Sequence, residues 1–240
     1  MKKIIKYLFL LTGGSFILAS CNDFLDREPL DSVTPDNFFF TENDLAAYAV
    51  KHYNFTTHEG FNAGIWKNDN ATDNQAATDY DKKWIPGQWK VPEAYDNPAS
   101  NDPWYFSAIR EANYFLETVV PRFEKGEIEG SETNIKHYIG EMYFLRAKNY
   151  LSKLETFGDF PIIKNTLPDE SASLIQASKR EPRHKVARFI LEDLDLAIGL
   201  LTNTISGGKN RITQNAALLL KSRAALYEAS WLTYHRGTAL

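Results

Sequence analysis

YIGEMYFLRAKNYLSKLETFGDFPII, residues 138–163, carries apolar side chains at helical spacing over far more than one face. Extended back to Thr133, the periodicity predicts a helix from about Thr133 to Phe157. Its polar stripe is narrow, made of Glu141, Lys148, Ser152 and Glu155. Ile135, Tyr138, Ile139, Met142 and Leu145 hand over to Ala147, Tyr150, Leu151 and Leu154. A helix apolar over so wide an arc must be packed on two sides. Gly158 and Pro161 end it, the first as a cap and the second because proline cannot continue a helix.

Partners for those two sides lie on both flanks. Upstream, Asp102 can cap a helix with Pro103 at its first position, running through WYFSAIREANYFLETVV to Pro121. Ile109, Ala112, Asn113 and Leu116 lie along one side of it. Downstream, a helix from Pro182 places Val186, Phe189, Ile190, Leu194, Ala197, Ile198 and Leu201 on one face. Gly207 and Gly208 follow, and Thr213 can cap a last helix with Ala217, Leu220, Ala224, Tyr227 and Trp231 in register. A short helix from about Thr41 to Phe55, capped by Thr41 or Asn43, precedes them all; Leu45, Tyr48, Ala49 and His52 or Tyr53 share its face.

The class is therefore all-α, with helix pairs 102–120/133–157 and 182–203/213–232. Ala147 and Ala224 occupy similar places in the second helix of each pair, where a small residue permits close approach. Such pairs resemble tetratricopeptide units, whose period is about 34 residues, but here they are separated by much more than one period. Periodicity leaves a divergent repeat and an ordinary helical bundle equally open.

Between the first helix and the pairs, Thr56 to Asn101 lacks helical or strand periodicity. It is dense in Asn, Asp and Pro, yet holds Trp66, Trp84 and Trp89, with Trp104 just beyond. Long irregular stretches in compact domains are functional or disordered, and aromatics this dense argue against disorder. A flat aromatic ring stacks on the C–H face of a sugar, while neighbouring polar groups reach its hydroxyls. Trp84 and Trp89, with Asp73, Asn74 and Lys83 beside them, have that composition. Residue by residue, a tryptophan is more often a packing staple than a ligand platform; the segment as a whole points to a binding surface.

The N-terminus addresses location. Lys2, Lys3 and Lys6 precede an apolar run from Tyr7 to Leu18, the pattern of a secretory signal peptide over residues 1–20. The run is short of the ~20 apolar residues that a permanent span needs. Leu18-Ala19-Ser20-Cys21 matches a bacterial lipobox, and Cys21 is the sole cysteine, so lipidation of Cys21 is expected. Each buried methylene contributes about 0.8 kcal/mol, so a cysteine carrying three acyl chains would anchor stably. Removing the leader with its three lysines takes the formal charge from −4 to −7. Residues 21–35, polar and turn-rich with Pro29 and Pro35, read as a tether, and 36–240 as the helical region.

Little in the chain suggests catalysis. The net charge excludes a large basic field for nucleic acid. A lone cysteine excludes an internal disulfide or a thiolate zinc cluster. The five histidines, at 52, 58, 137, 184 and 235, form no i,i+4 pair. Counted from Asp69, an EF-hand loop fails at Asn74, where glycine is required, and at Tyr80, where glutamate is required. No G-x-S-x-G elbow or phosphate-cradling glycine loop occurs. Glu192, Asp193 and Asp195 read as solvated acids on a helix face. No cofactor or metal is expected.

Taken in order, CNDFLDREP, TPDNFFFTENDLAAY, the loop DNQA…W…GQW, WYFSAIREANYFLETV, YIGEMYFLRAKNYLSKLETFGDFPII, RHKVARFILEDLDLAI and RITQNAALLLKSRAALYEASW resemble the SusD/RagB family of outer-membrane nutrient-binding lipoproteins. The resemblance implies a tetratricopeptide-like all-α fold with long irregular loops, lipid anchoring at the surface of an outer membrane, and no catalysis. It also implies a SusC-like TonB-dependent transporter as partner and an oligosaccharide or other nutrient as ligand. Family members are longer, with a C-terminal region that supplies part of the ligand surface, whereas this chain ends at LTYHRGTAL. It is expected to stop before that region and to expose the apolar surface against which it would pack. Two other functions fit an anchored helical chain: a polysaccharide-degrading enzyme, and a helical-repeat interaction scaffold.

Overall fold

A computed structural model of the chain describes residues 38–53, 55, 85, 88, 90, 103–204 and 210–238. These residues form six helices: α1 (Glu42–Lys51), α2 (Ser107–Lys125), α3 (Glu132–Phe157), α4 (Ser171–Ala177), α5 (Arg183–Leu200) and α6 (Gln214–Tyr234). Among the described residues there is no strand, and extended pairing is limited to the bridges Thr41–Glu129 and Phe160–Glu181. The expected all-α fold of tetratricopeptide-like helix pairs is what forms.

The stretch 138–163 is the centre of it. At a rise of about 1.5 Å per residue α3 is roughly 39 Å long, and it packs against α1, α2, α5 and α6. Buried on one flank or another are Ile135, Ile139, Met142, Leu145, Tyr150 and Leu154. The two expected pairs, α2 with α3 and α5 with α6, are in contact, and α3 with α5 joins them. Ala147 and Ala224 are both buried. Gly140 permits another close approach. A Cβ placed there would lie 3.0–3.2 Å from Leu200 and Leu201 at the end of α5.

Local signals behave as the sequence predicts at several termini. Thr41 caps α1 in a capping box: its hydroxyl accepts from Asp44 N (3.3 Å) and Asp44 Oδ2 accepts from Thr41 N (3.0 Å). Just before it, Phe39 sits at φ 69°, a conformation that costs a non-glycine residue about 1–2 kcal/mol. Complete burial of its ring against Tyr48 (5.0 Å) and Phe115 (5.3 Å) offsets that cost. Thr213 caps α6 through Ala216 N (3.2 Å), and the N–H of Gly158 closes α3 on Leu154 O (3.0 Å).

Four expectations are corrected. The helix expected from Asp102 begins at Ser107, because Trp104 and Phe106 turn inward: Trp104 lies 4.1 Å from the Phe157 ring, and Phe106 stacks on Phe160 at 5.1 Å. That helix also runs through Pro121 to Lys125 and stops only at Gly126, φ 72°. An interior proline loses one hydrogen bond, but the turn beyond it is held elsewhere. Arg122 donates to Phe38 O (2.7 Å) and lies 4.2 Å over the Phe40 ring. Glu141, expected on the solvated stripe of α3, is fully buried. It accepts from Arg211 and from the Tyr53 hydroxyl (2.7 Å). Asp193, expected among solvated acids, is buried and forms a bidentate pair with Arg146, both contacts 2.7 Å.

The Arg146 network is a second core made of polar atoms. Its guanidinium also donates to Asn113 Oδ1 (2.9 Å), whose amide donates to Ile163 O (2.8 Å). Tyr150 holds the same strip, accepting from Ile163 N (2.8 Å) and donating to Ile163 O (3.1 Å). One set of bonds thus ties α2, α3 and α5 to the segment after α3. α4, which the sequence did not signal, buries none of its residues. α6 leaves Leu219 and Leu226 largely exposed.

Candidate ligand-binding site

The residues that sequence reasoning assigns to lipidation and ligand binding, Cys21, Asp73, Asn74, Lys83, Trp84 and Trp89, lie outside the described residues. What is described is the place where the tryptophan-rich segment joins the helical body. It leaves at Tyr53 and Phe55 and returns at Pro103. Both junctions are held by lysines of α3: Lys148 Nζ lies 5.2 Å over the Phe55 ring, and the Lys153 ammonium donates to Pro103 O.

Between the junctions is a cleft of about 340 Å³ formed by the end of α1, the start of α2 and the middle of α3. It falls within the ~300–1,000 Å³ typical of small-ligand sites. Glu111 organises one wall. Its carboxylate lies 3.1 Å from His52 Nδ1 and 3.9 Å from Lys51 Nζ, and accepts from Ser107 Oγ at 3.4 Å. Its backbone carbonyl accepts from the Tyr48 hydroxyl (3.1 Å), which fixes α1 to α2. Burial pushes the His52 imidazole below its ordinary range, against the upward pull of Glu111. Burial likewise lowers the Lys148 ammonium.

The opposite wall is α3. Asn149 donates to Leu145 O (2.8 Å), which leaves its amide oxygen as an acceptor. Tyr105, 40% exposed, stands at the rim with one ring available for stacking. The exposed Tyr105 ring, the Tyr105 and Ser107 hydroxyls, an amide, a carboxylate and three ammonium groups suit a hydroxyl-rich ligand, which needs an apolar face to lie on and several directional partners. Among the described residues no group of three or more His, Cys, Asp or Glu could hold a metal ion. No helix among them is long and apolar enough to cross a membrane.

Sequence reasoning reached this neighbourhood only through the tryptophans. Of these, Trp104 is described and is a packing residue: its ring lies against Phe157 and Phe160, with the Arg180 guanidinium 5.0 Å above it. Tyr105, Glu111 and Lys153 carried no local signal, because nothing in the spacing of residues 51, 111 and 153 announces that they meet.

The chain resembles known proteins across its length. SusD-like protein P2 of Formosa agariphila is 26% identical over 219 residues, covering 89% of this chain and 40% of that protein. SusD-like protein P25 of the same organism is 23% identical over 243 residues, covering 96% of this chain and 44% of the relative. The chain therefore spans less than half the length of the curated relatives it matches. A crystal structure of a SusD-like protein from Bacteroides fragilis superposes with a TM-score of 0.61 at 25% identity, over 85% of this chain and 38% of that one. Residues 23–226 match the SusD-like family described as starch-binding and associating with the outer membrane, and the chain belongs to that family.

Proposed function

We propose that this chain is the helical part of a non-catalytic, glycan-binding lipoprotein of an outer membrane, anchored through Cys21. It captures oligosaccharide for a SusC-like TonB-dependent transporter. The observation that carries this reading is the family match over residues 23–226, whose family is described as starch-binding and associated with the outer membrane. The cleft supports it: the tryptophan-rich segment joins the body at a site lined by hydroxyl-reading groups beside an exposed ring. In this reading Trp84 and Trp89 supply stacking faces, and Asp73, Asn74 and Lys83 reach sugar hydroxyls.

The test is calorimetric titration of a panel of oligosaccharides, α-glucans included. Saturable binding without product release is expected. Trp84→Ala and Trp89→Ala should each weaken binding by about 1–2 kcal/mol, on the order of tenfold, while the thermal midpoint holds. Hydrolysis of the glycan, lost on replacing a single acid, would establish an enzyme instead. Unchanged affinity in both variants would remove the tryptophans from the site. Affinity capture from outer membranes tests the partner: recovery of a large β-barrel protein is expected, and its absence would refute the transporter assignment.

A further inference from the structure

A second cavity, of about 310 Å³, lies between the start of α2 and residues 161–178. Only Ile109 is shared between its lining and that of the cleft above. The chemistry differs. Trp104, Phe106, Pro161, Ile163, Leu167 and Leu174 make walls that offer rings and methyl groups. The buried Asn113 side chain adds nothing to a ligand, since its oxygen accepts from Arg146 and its amide donates to Ile163 O and Asn165 O. A sugar placed here would meet available side-chain polar groups only at Arg110, Asn165 and Ser178, and its hydroxyls against the apolar walls would carry a desolvation cost.

Among the described residues that line this cavity, Arg110 alone is charged. Arg110 lines it, is exposed, and makes no ion pair or hydrogen bond through its side chain among the described residues. Arg180, not itself a lining residue, lies 5.0 Å over the ring of the wall residue Trp104 and makes no ion pair among the described residues either. An unpaired surface arginine is ordinary. Arg110 on the lining of this apolar hollow, with Arg180 over the ring of its wall residue Trp104, complements a small molecule with an apolar body and a single carboxylate, which a guanidinium grips through two parallel hydrogen bonds. Leu174 forms its wall from α4, a helix with no buried residue, so ligand burial there would cover side chains that the fold leaves in water.

We propose that this cavity binds a small aryl carboxylate, its ring between Trp104, Phe106 and Leu174 and its carboxylate on Arg110, with Arg180 as the second cation. The site is separate from the glycan cleft and does not depend on that reading. The test uses 3-phenylpropanoate and its neutral amide, titrated into the chain by calorimetry and followed by nuclear magnetic resonance. Binding of the acid at about millimolar affinity is expected for a ligand of this size, on the order of tenfold tighter than the amide. Arg110→Gln should reduce that preference, and Arg110→Gln with Arg180→Gln should abolish it, while the thermal midpoint is unchanged. Leu174→Trp, which fills the hollow from an exposed helix, should weaken acid and amide alike. Equal affinity for acid and amide, selectivity that survives the double variant, or no binding of either at about ten millimolar would overturn the proposal.

Discussion

His52 shows how a single side chain couples the cleft to pH. Its imidazole is pressed between Tyr48 (4.8 Å between ring centroids) and Glu111, and burial favours its neutral form. Below about pH 6.5, the ordinary value for histidine, the unfolded chain binds a proton that the folded chain resists. Stability should therefore fall as pH drops below about 6.5 and level off beneath the folded value. His52→Gln should remove this part of the slope, so denaturant unfolding of both proteins from pH 7.5 to 5 checks it; parallel curves would show that His52 is not the titrating group. Arg146 and Asp193 pose a different problem. Removing one partner strands a buried charge, so Asp193→Ala should cost about 3–5 kcal/mol in urea unfolding, whereas Arg146→Met with Asp193→Leu should cost far less. Neither acid was legible as buried, because a helical wheel reports the face and not the partner. Asp193 finds its arginine 47 residues away, and Glu141 finds Arg211 70 residues away.

Among the elements, α3 was the most legible and α4 the least. The periodicity of 138–157 covers so many directions that it required neighbours on two sides, and α2 and α5 are those neighbours. α4 has seven residues and buries none of them, so no periodic pattern marks it. The limits of α2 were misread at both ends, and in each case tertiary contacts overrode local chemistry: Trp104 and Phe106 are drawn into the aromatic stack, and Arg122 holds the turn after Pro121. Gly140 is the most demanding position on α3. Gly140→Val should destabilise by about 1–3 kcal/mol, because added carbons meet Leu200, Leu201 and the Leu201 backbone nitrogen. The thermal midpoint measures this, and an unchanged midpoint would mean that the end of α5 can yield. Thr41→Ala should cost about 1 kcal/mol through loss of the α1 cap.

At the scale of the whole molecule, the chain combines a helical body and a tryptophan-rich segment, and its first twenty residues are predicted to be a leader cut before Cys21. The predicted anchor has its own test. Cys21→Ala should move the protein from the membrane fraction to the soluble fraction of cells, and retention of the variant on membranes would refute lipid anchoring. Family, all-α class, pair order and the caps Thr41, Gly158 and Thr213 were readable in the sequence, because helical spacing and capping act within about ten residues. Residues 73–89 were readable as an aromatic and polar composition alone. Only the tertiary structure decided which polar groups are buried, where the cleft lies and that Trp104 serves as packing. Those outcomes depend on residues such as Lys51, Glu111 and Lys153 meeting across three helices, and chain-local chemistry contains no record of such distant encounters.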